Sequence, residues 1–172
     1  MRRSFLALRA VFFVLVLPGT VAGYLPFRII NATGRSGAIG FSVSSVAASA
    51  LTLAGIGVLT KCVWDFFAAG QGTLAPIDPP RFLVVQGLYR ITRNPMYNGV
   101  LAILLGEAWL FASIAVLEYA LAVFLVFHLF VLFYEEPALE SRFGEAYRVY
   151  RKAVPRWGLT VRPFHDGSAN AA

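Results

Sequence analysis

The chain has 172 residues, of which 58% are hydrophobic, 15% are aromatic and only 14% are charged. This composition is too apolar for the surface of an ordinary water-soluble domain, so it predicts a protein that is solvated by lipid. The formal net charge is +6, but the basic residues stand at the ends of apolar segments and form no basic domain. This pattern favours membrane orientation and anionic lipid as partners, and it excludes a nucleic-acid-binding domain. The single cysteine, Cys62, excludes an intrachain disulfide and a cysteine-based metal cage, and no metal site is expected.

The first apolar segment runs from Phe5 to about Phe27, behind a basic start at Arg2 and Arg3. Its length is sufficient for a helix that crosses the bilayer core. A cleavable signal peptide is the alternative, because a short apolar core is followed by the small residues of Thr20-Val21-Ala22-Gly23. Apolar character resumes immediately afterwards, which favours the membrane helix.

A polar, glycine-containing stretch from Arg28 to Gly37 precedes the second apolar segment, which runs from Ile39 to about Phe67. This segment is long enough to cross the membrane with some tilt. Small residues recur along it, and this spacing predicts a face on which a second helix can approach closely. The residues of this face are Gly40, Ser44, Ala48 and Gly55.

An irregular connector from Gly70 to Met96, rich in glycine and proline, separates the two N-terminal segments from two more. Such a backbone cannot lie in bare lipid, so we expect it at the membrane surface or over protein. The next apolar segments run from about Tyr97 to Ser113 and from about Val116 to Tyr134. The very short link near Ala115 predicts an antiparallel helical hairpin.

A strong break signal follows at Pro137, because proline lacks an amide hydrogen and its ring crowds the carbonyl four residues earlier. The membrane helix is therefore expected to bend or stop near Glu135-Glu136. Beyond this point the sequence predicts one amphipathic helix on membrane or protein. Its apolar side is formed by Leu139, Phe143, Tyr147, Tyr150 and Val154, and its charged side by Glu140, Glu145, Arg148, Arg151 and Lys152.

These elements predict an all-α integral membrane bundle of about four transmembrane helices and a C-terminal amphipathic cytoplasmic helix. The basic residues cluster before the first helix, in the connector and in the C-terminal segment. The positive-inside rule therefore places both termini and the connector in the cytoplasm. The predicted regions are 1–69 for the two N-terminal helices, 70–163 for the connector, hairpin and amphipathic helix, and 164–172 for a disordered tail.

Two ionisable residues lie at predicted membrane depth, Glu107 in the third helix and His128 in the fourth. Such residues are uncommon in lipid and are candidates for function. Each is equally compatible with a structural hydrogen bond between helices.

Four short strings fall on the predicted cytoplasmic face, and their order and spacing matter more than any one of them. They are Gln86-Gly87-Leu88-Tyr89, Arg93-Asn94-Pro95-Met96-Tyr97-Asn98-Gly99, Glu135-Glu136-Pro137, and Phe143-Gly144-Glu145-Ala146-Tyr147 continuing to Val154-Pro155-Arg156-Trp157. Taken singly, each has a plain explanation as a helix start, a membrane edge or an interfacial anchor. Together they resemble the isoprenylcysteine carboxyl methyltransferase and phospholipid methyltransferase superfamily of small membrane enzymes. The resemblance covers roughly half of the chain, from Arg81 to Trp157.

The resemblance implies S-adenosyl-L-methionine as the cofactor. This molecule carries an ammonium, a carboxylate, a sulfonium and an adenine, so its site needs an acid, backbone amides or an arginine, and aromatic faces. The acid is expected to be Glu135, and Tyr89 and Tyr97 are expected to pack on adenine or sulfonium. The positions that match the family's cofactor-binding residues are Arg81, Phe82, Leu83, Val84, Gly87, Tyr89, Asn94, Pro95, Met96, Tyr97 and Glu135.

Two positions depart from the family pattern. Many members have histidine where this chain has Asn94, which removes a titratable group but keeps the proline turn. The prenylcysteine enzymes carry a substrate-binding arginine where this chain has Val131. A carboxylate substrate would lose its charge partner there, so prenylcysteine is disfavoured.

The sequence therefore predicts a membrane-embedded methyltransferase that transfers a methyl group directly to a lipophilic or lipid-linked substrate entering from the bilayer. Catalysis by this reaction is mostly positioning and desolvation. The candidates for orienting or deprotonating the acceptor are Glu136, Glu107 and His128.

Two other functions are compatible with parts of the sequence. Membrane reductases of the sterol or steroid type resemble the chain through a related Asn-Pro-x-Tyr-x-Gly turn and use NADPH, but they tend to have an acid where Val100 stands. A non-enzymatic scaffold or carrier explains the apolar helices equally well. It does not explain why the tyrosine-containing proline turn and the Glu-Glu-Pro junction occur together.

Overall fold

The computed structural model describes residues 18–34, 40–69, 83 and 85–164, with only the backbone at 66–69. Regular structure within these ranges is entirely helical, which confirms the predicted all-α class for the described residues. The α-helices are α1 (Leu25–Ala32), α2 (Val43–Ala69), α3 (Pro95–Leu110), α4 (Ile114–Phe130), α5 (Glu136–Phe143) and α6 (Glu145–Ala153). A 3₁₀ turn at Gly87–Arg90 precedes α3, and π turns at Thr20–Tyr24 and Val131–Glu135 lead into α1 and α5.

Two of the described helical segments are long and apolar enough to cross a membrane, Val43–Asp65 in α2 and the continuous segment Ile114–Phe143. The helix α3 has 16 residues, which corresponds to about 24 Å against about 30 Å for a bilayer core. The first helix is described only from residue 18. A membrane protein is thus supported, while four crossings and the cytoplasmic orientation of the termini stay predictions.

The first two boundaries differ from those that the sequence predicts. Helix α1 continues to Ala32, so Arg28 is helical and does not begin a polar linker. The turn of the hairpin lies at residues 111–113 and not near Ala115, because Ser113 caps α4 by accepting a hydrogen bond from the Val116 amide. A side-chain cap of this kind fixes where a helix begins more strongly than apolar periodicity does.

Helices α2 and α3 form the most extensive helix contact of the described residues. A Cβ atom added at Gly55 would lie 2.6 Å from the Gly99 carbonyl oxygen, and one added at Gly106 would lie 3.0 Å from the Ala48 carbonyl oxygen. The two backbones therefore meet directly, as small residues permit in membrane helices. Within the predicted small-residue face, Ala48 and Gly55 line this contact. Gly40 has open space around its Cβ position, and Ser44 accepts a hydrogen bond from the Trp109 indole at 2.9 Å.

The helix does not stop at Glu135-Glu136, and that part of the prediction is wrong. Both residues have right-handed helical dihedral angles, and the Glu136 amide donates to the Val131 carbonyl, five residues back. This π turn changes the hydrogen-bond register immediately before Pro137, so the chain continues as a helix despite the missing amide. The same device occurs before Pro26, where the Leu25 amide donates to Thr20.

The segment after Glu136 is two helices and not one, since Gly144 separates α5 from α6 with a positive φ of 53°. Tyr147, Tyr150 and Val154 are buried against other parts of the protein. The side chains packed around them are Leu83, Val85, Leu139, Phe143 and Phe164. Phe164, predicted to begin a disordered tail, is therefore part of the folded protein, and the rest of that tail lies outside the described residues.

Candidate active site

The centre of the site is a contact between the start of α3 and the end of the π turn that follows α4. The Tyr97 hydroxyl donates a hydrogen bond of 3.3 Å to Oε2 of Glu135. The Tyr97 ring stacks on Phe127 with 4.5 Å between centroids, and its centroid lies 6.5 Å from that of Trp157. Folding thus joins the proline turn at Asn94-Pro95 to the Glu135-Glu136 junction and surrounds the contact with aromatic rings.

Tyr89 joins this contact from the 3₁₀ turn Gly87–Arg90. Its carbonyl oxygen accepts a hydrogen bond of 2.7 Å from the Tyr150 hydroxyl, which fixes the turn against α6. Burial raises the pKa of the Tyr89 phenol, and interaction with Cys62, Glu135, Tyr150 and Tyr97 raises that pKa further. Tyr89 is therefore a neutral phenol within electrostatic range of both Tyr97 and Glu135. Three of the residues carried over from the family pattern meet at one place.

The other carried-over residues hold the framework of the site. Asn94 is buried, and its amide donates to the Arg156 carbonyl at 3.2 Å. Pro95 is buried and Met96 half-buried in the first turn of α3. Leu83 packs against the buried tyrosines of α6. Arg81, Phe82 and Val84 lie outside the described residues.

Gly87 has a positive φ of 55°, a conformation that glycine adopts without strain. A Cβ atom there would collide with Oδ2 of Asp65, near the C-terminal end of α2. The connector is thus pressed against α2 at this glycine. No sequence motif connects Asp65 with the site, because Asp65 and Gly87 meet only through the fold.

Glu136, next to Glu135, has different surroundings. It is 5% exposed, and its carboxylate accepts hydrogen bonds from Nη1 of Arg93 at 2.8 Å, from Nε of Arg156 at 2.5 Å and from Nη2 of Arg156 at 2.9 Å. The hydrogen bond to Glu136 raises the pKa of the Arg156 guanidinium, so this group stays charged. Both carboxylate oxygens are occupied by guanidinium groups, which favours a positioning role for Glu136 over that of a general base.

Arg156 belongs to residues 155–164, which we call the C-terminal strap. The strap runs along the connector through backbone hydrogen bonds of 3.0 Å from Arg93 to the Pro155 carbonyl and 2.9 Å from Thr160 to the Ile91 carbonyl. At its end, Phe164 donates to the Arg90 carbonyl at 2.9 Å. These bonds hold the strap beside the start of α3, and hence beside Tyr97. The sequence motifs marked Arg93-Asn94-Pro95 and Val154-Pro155-Arg156-Trp157 separately. They did not predict that the connector and the strap pair with each other.

His128 lies beside the strap on α4. Its Nδ1 accepts a hydrogen bond of 3.0 Å from the Trp157 indole, and the two rings stack with centroids 6.1 Å apart. An Nδ1 that accepts a hydrogen bond carries no proton, so the neutral ring is protonated at Nε2. In this state His128 offers a hydrogen-bond donor to an acceptor substrate and not a base.

Glu107 does not lie at the Tyr97–Glu135 contact. It lies ten residues after Tyr97 on α3, which is about 15 Å along the helix axis. Its Oε2 is buried and has no hydrogen-bond partner among the described residues. Of the three residues predicted to act on the acceptor, only His128 and Glu136 adjoin the site at Tyr97 and Glu135.

Fold and site together define a helical membrane protein with a tyrosine–carboxylate site between the first turn of α3 and the continuation of α4. The phospholipid methyltransferase family model matches residues 37–146, more than half of the chain. The chain belongs to this family, which confirms the resemblance found in the sequence. The match includes α2, which the sequence motifs did not reach, and it ends before the C-terminal strap. No curated protein and no solved structure is significantly similar to the chain.

Family membership supports methyl transfer at a membrane as the activity. It also favours a methyltransferase over a reductase of the sterol type.

Proposed function

We propose that the protein uses S-adenosyl-L-methionine to methylate a lipophilic acceptor at the membrane surface. The observation that carries the proposal is the Tyr97–Glu135 contact, which joins the two most distinctive motifs of the chain within a set of aromatic rings. When bound, the cofactor supplies an electrophilic methyl group on a sulfonium.

The residues present fit the polar and cationic groups of this cofactor. Among the described residues, the Glu135 carboxylate accepts a hydrogen bond from the Tyr97 hydroxyl, and no cation lies within ion-pair distance of it. Glu135 therefore suits the ammonium of the amino-acid end. The rings of Tyr97, Phe127 and Trp157 suit a sulfonium, because aromatic faces attract cations. Tyr89 lies within electrostatic range of Tyr97 and Glu135, and Arg81, Phe82 and Val84 stay predicted contacts from the connector.

The acceptor is expected to approach from the lipid side of α4. Phe124 and His128 lie on this helix, and Trp157 of the strap packs over them with its ring 5.3 Å from that of Phe124. An apolar acceptor can lie against these rings, and His128 Nε2–H can hold its polar group in line with the methyl donor. Val131 is buried and apolar, so an acceptor with a free carboxylate finds no charge partner there. These contacts support a lipid-linked acceptor other than prenylcysteine.

The direct test is calorimetric titration of the purified protein in lipid nanodiscs with S-adenosylhomocysteine, the product form of the cofactor. We expect the wild-type protein to bind, and Glu135→Gln to bind about tenfold or more weakly because an ion pair with the ammonium is lost. Glu140→Gln is the matched control, since Glu140 is paired with Arg151 outside the site. No binding by the wild-type protein, or wild-type affinity in Glu135→Gln, would contradict the proposal.

A second measurement separates the proposal from its rivals. Thermal stability of the wild-type protein is compared with S-adenosylmethionine, with NADPH and without ligand. Stabilisation by S-adenosylmethionine alone is expected, because a ligand that binds only the folded state raises its stability. Stabilisation by NADPH alone would favour a reductase, and no effect of either would favour a scaffold. Membrane lipids incubated with methyl-labelled cofactor then identify the acceptor by its gain in mass.

A further inference from the structure

The two oxygens of the Asp65 carboxylate have different surroundings among the described residues. Oδ1 pairs with the Lys61 ammonium, one helical turn away on α2. Oδ2 is buried and has no hydrogen-bond partner among the described residues. A buried carboxylate oxygen without a donor is costly, and most such oxygens in proteins are satisfied by a protein group, water or a ligand.

The surroundings of Oδ2 place it at the edge of the candidate site. The connector approaches it at Gly87, whose positive φ and missing side chain permit the contact. Two residues further along the same 3₁₀ turn is Tyr89, whose phenol interacts electrostatically with Glu135 and Tyr97. It also interacts with Cys62, one turn before Asp65 on α2. The turn Gly87–Arg90 therefore lies against Asp65 at Gly87 and within electrostatic range of Glu135 at Tyr89.

The two acids differ in charge balance, and this difference selects their ligands. Lys61 neutralises Asp65 through Oδ1, so Oδ2 is poorly suited to a second cation and well suited to a neutral donor. Glu135 has no cationic partner among the described residues, as its hydrogen bond comes from the Tyr97 phenol. An adenosyl cofactor offers both kinds of group, an ammonium at one end and the ribose hydroxyls near its middle. Carboxylates are common partners of ribose hydroxyls in nucleotide sites.

We propose that Oδ2 of Asp65 accepts a hydrogen bond from a ribose hydroxyl of the bound adenosyl cofactor, so that α2 contributes directly to the cofactor site. This assignment rests on the proposed function. It gives the site three walls: α2 with Asp65 at the ribose, the 3₁₀ turn with Tyr89, and the Tyr97–Glu135 contact at the amino-acid end. The packing of α2 against α3 then positions Asp65 relative to Tyr97, which holds Glu135 by a hydrogen bond.

The test uses the full-length protein in lipid nanodiscs and three probes: S-adenosylhomocysteine and its 2′-deoxy and 3′-deoxy analogues. The wild-type protein is expected to bind at least one deoxy analogue about tenfold more weakly than S-adenosylhomocysteine, the effect of one hydrogen bond to a charged group. Asp65→Ala is expected to bind S-adenosylhomocysteine about tenfold more weakly and to lose the discrimination against the deoxy analogue. Lys61→Ala is the matched control, because it removes the ion pair but keeps Oδ2, and it is expected to keep the discrimination.

Each outcome decides one point. Equal affinity of the wild-type protein for all three probes overturns the assignment without the need for a folded variant. Retained discrimination in Asp65→Ala, or its loss in Lys61→Ala as well, also overturns it and leaves Asp65 with a structural ion pair. If the wild-type protein binds S-adenosylhomocysteine and these results appear, the proposed function stands without this contact. If it binds none of the probes, the proposed function and this assignment both fail.

Discussion

The contact between α2 and α3 is made by backbone atoms and uncharged side chains, whereas the junction at Glu136 is made almost entirely by charge. At the helix contact, the glycines at positions 55 and 99 allow two backbones to touch. At the junction, one buried carboxylate binds the guanidinium groups of Arg93 and Arg156. The helix contact positions Tyr97, which belongs to α3, and the charged junction positions Glu135, which directly precedes Glu136. Both regions therefore contribute to the Tyr97–Glu135 contact.

The difference follows from the solvent of each region. Between membrane helices the hydrophobic effect gives no preference for a partner over lipid, so close van der Waals packing of small residues must hold the pair. At the end of the apolar segment, charged side chains can be brought together from distant parts of the sequence. There the Arg90 guanidinium also donates a hydrogen bond of 2.8 Å to the Phe164 carbonyl of the strap. Close packing of small residues therefore sets the separation of α2 and α3, and the ion pair of Arg156 with Glu136 holds the strap beside the site.

The largest effect is expected from Gly55→Leu, because even a Cβ atom at this position would lie 2.6 Å from the Gly99 carbonyl oxygen. The helices must separate, and we expect a loss of about 3 kcal/mol or more in the free energy of unfolding. Gly57→Leu is the matched control, since the Cβ position of Gly57 has nothing within 4 Å. Thermal unfolding in nanodiscs measures both. Equal midpoints for the two variants would show that the contact at Gly55 is not a determinant of stability.

A smaller effect is expected from Glu136→Gln, which leaves two guanidinium groups without their carboxylate. Removing one partner of a fully buried ion pair costs about 3–5 kcal/mol. Since Arg156 is 26% exposed, we expect about 2 kcal/mol and faster proteolysis of the strap. Glu140→Gln removes a surface carboxylate paired with Arg151 and should cost less than about 1 kcal/mol. If Glu136→Gln kept wild-type stability but lost all turnover, Glu136 would act in catalysis and not in positioning.

The smallest effect is expected from Trp157→Phe, which removes the hydrogen bond to Nδ1 of His128 but keeps an aromatic ring next to Phe124. We expect a loss of about 1 kcal/mol. Trp109→Phe is the matched control, because it removes a hydrogen bond of similar length to Ser44 on an exposed face. A difference in activity but not in stability between the two variants would indicate that the His128 ring orientation serves the acceptor. Identical behaviour in both assays would contradict a role for that orientation.

Much of the helical architecture could be predicted from local sequence. Apolar length predicted α2 and a segment from about Val116 to Tyr134, which lies within the observed Ile114–Phe143, and the short link predicted the hairpin. The errors lie where local rules compete with long-range contacts. Pro137 was expected to bend or stop the helix, but a π turn let the helix continue. Gly144 divided a regular amphipathic pattern into two helices, because the buried tyrosines of α6 pack against the connector.

For the site, motif order identified Tyr89, Tyr97 and Glu135, and the structure brings these three residues together. Motif order alone could not distinguish the roles of Glu135 and Glu136. Adjacent residues on a helix point about 100° apart, so each contacts what the fold places on its own side. No sequence pattern indicated that Asp65 lies near the site. Its contact with Gly87 joins two parts of the chain that local sequence does not connect.

By itself, the sequence determined the apolar, membrane-protein character of the chain, its helical class and its family, and it indicated the residues proposed for the site, since each is recorded in composition, periodicity or motif order. Only the tertiary structure decided which carboxylate is paired with arginines, which one faces a tyrosine and which carboxylate oxygen lies buried with no donor in the described part of the chain. The physical reason is that the surroundings of a charged group consist of partners distant in sequence. The Glu135-Glu136 junction shows this most directly, because two identical neighbours acquire different chemistry from the elements packed on either side.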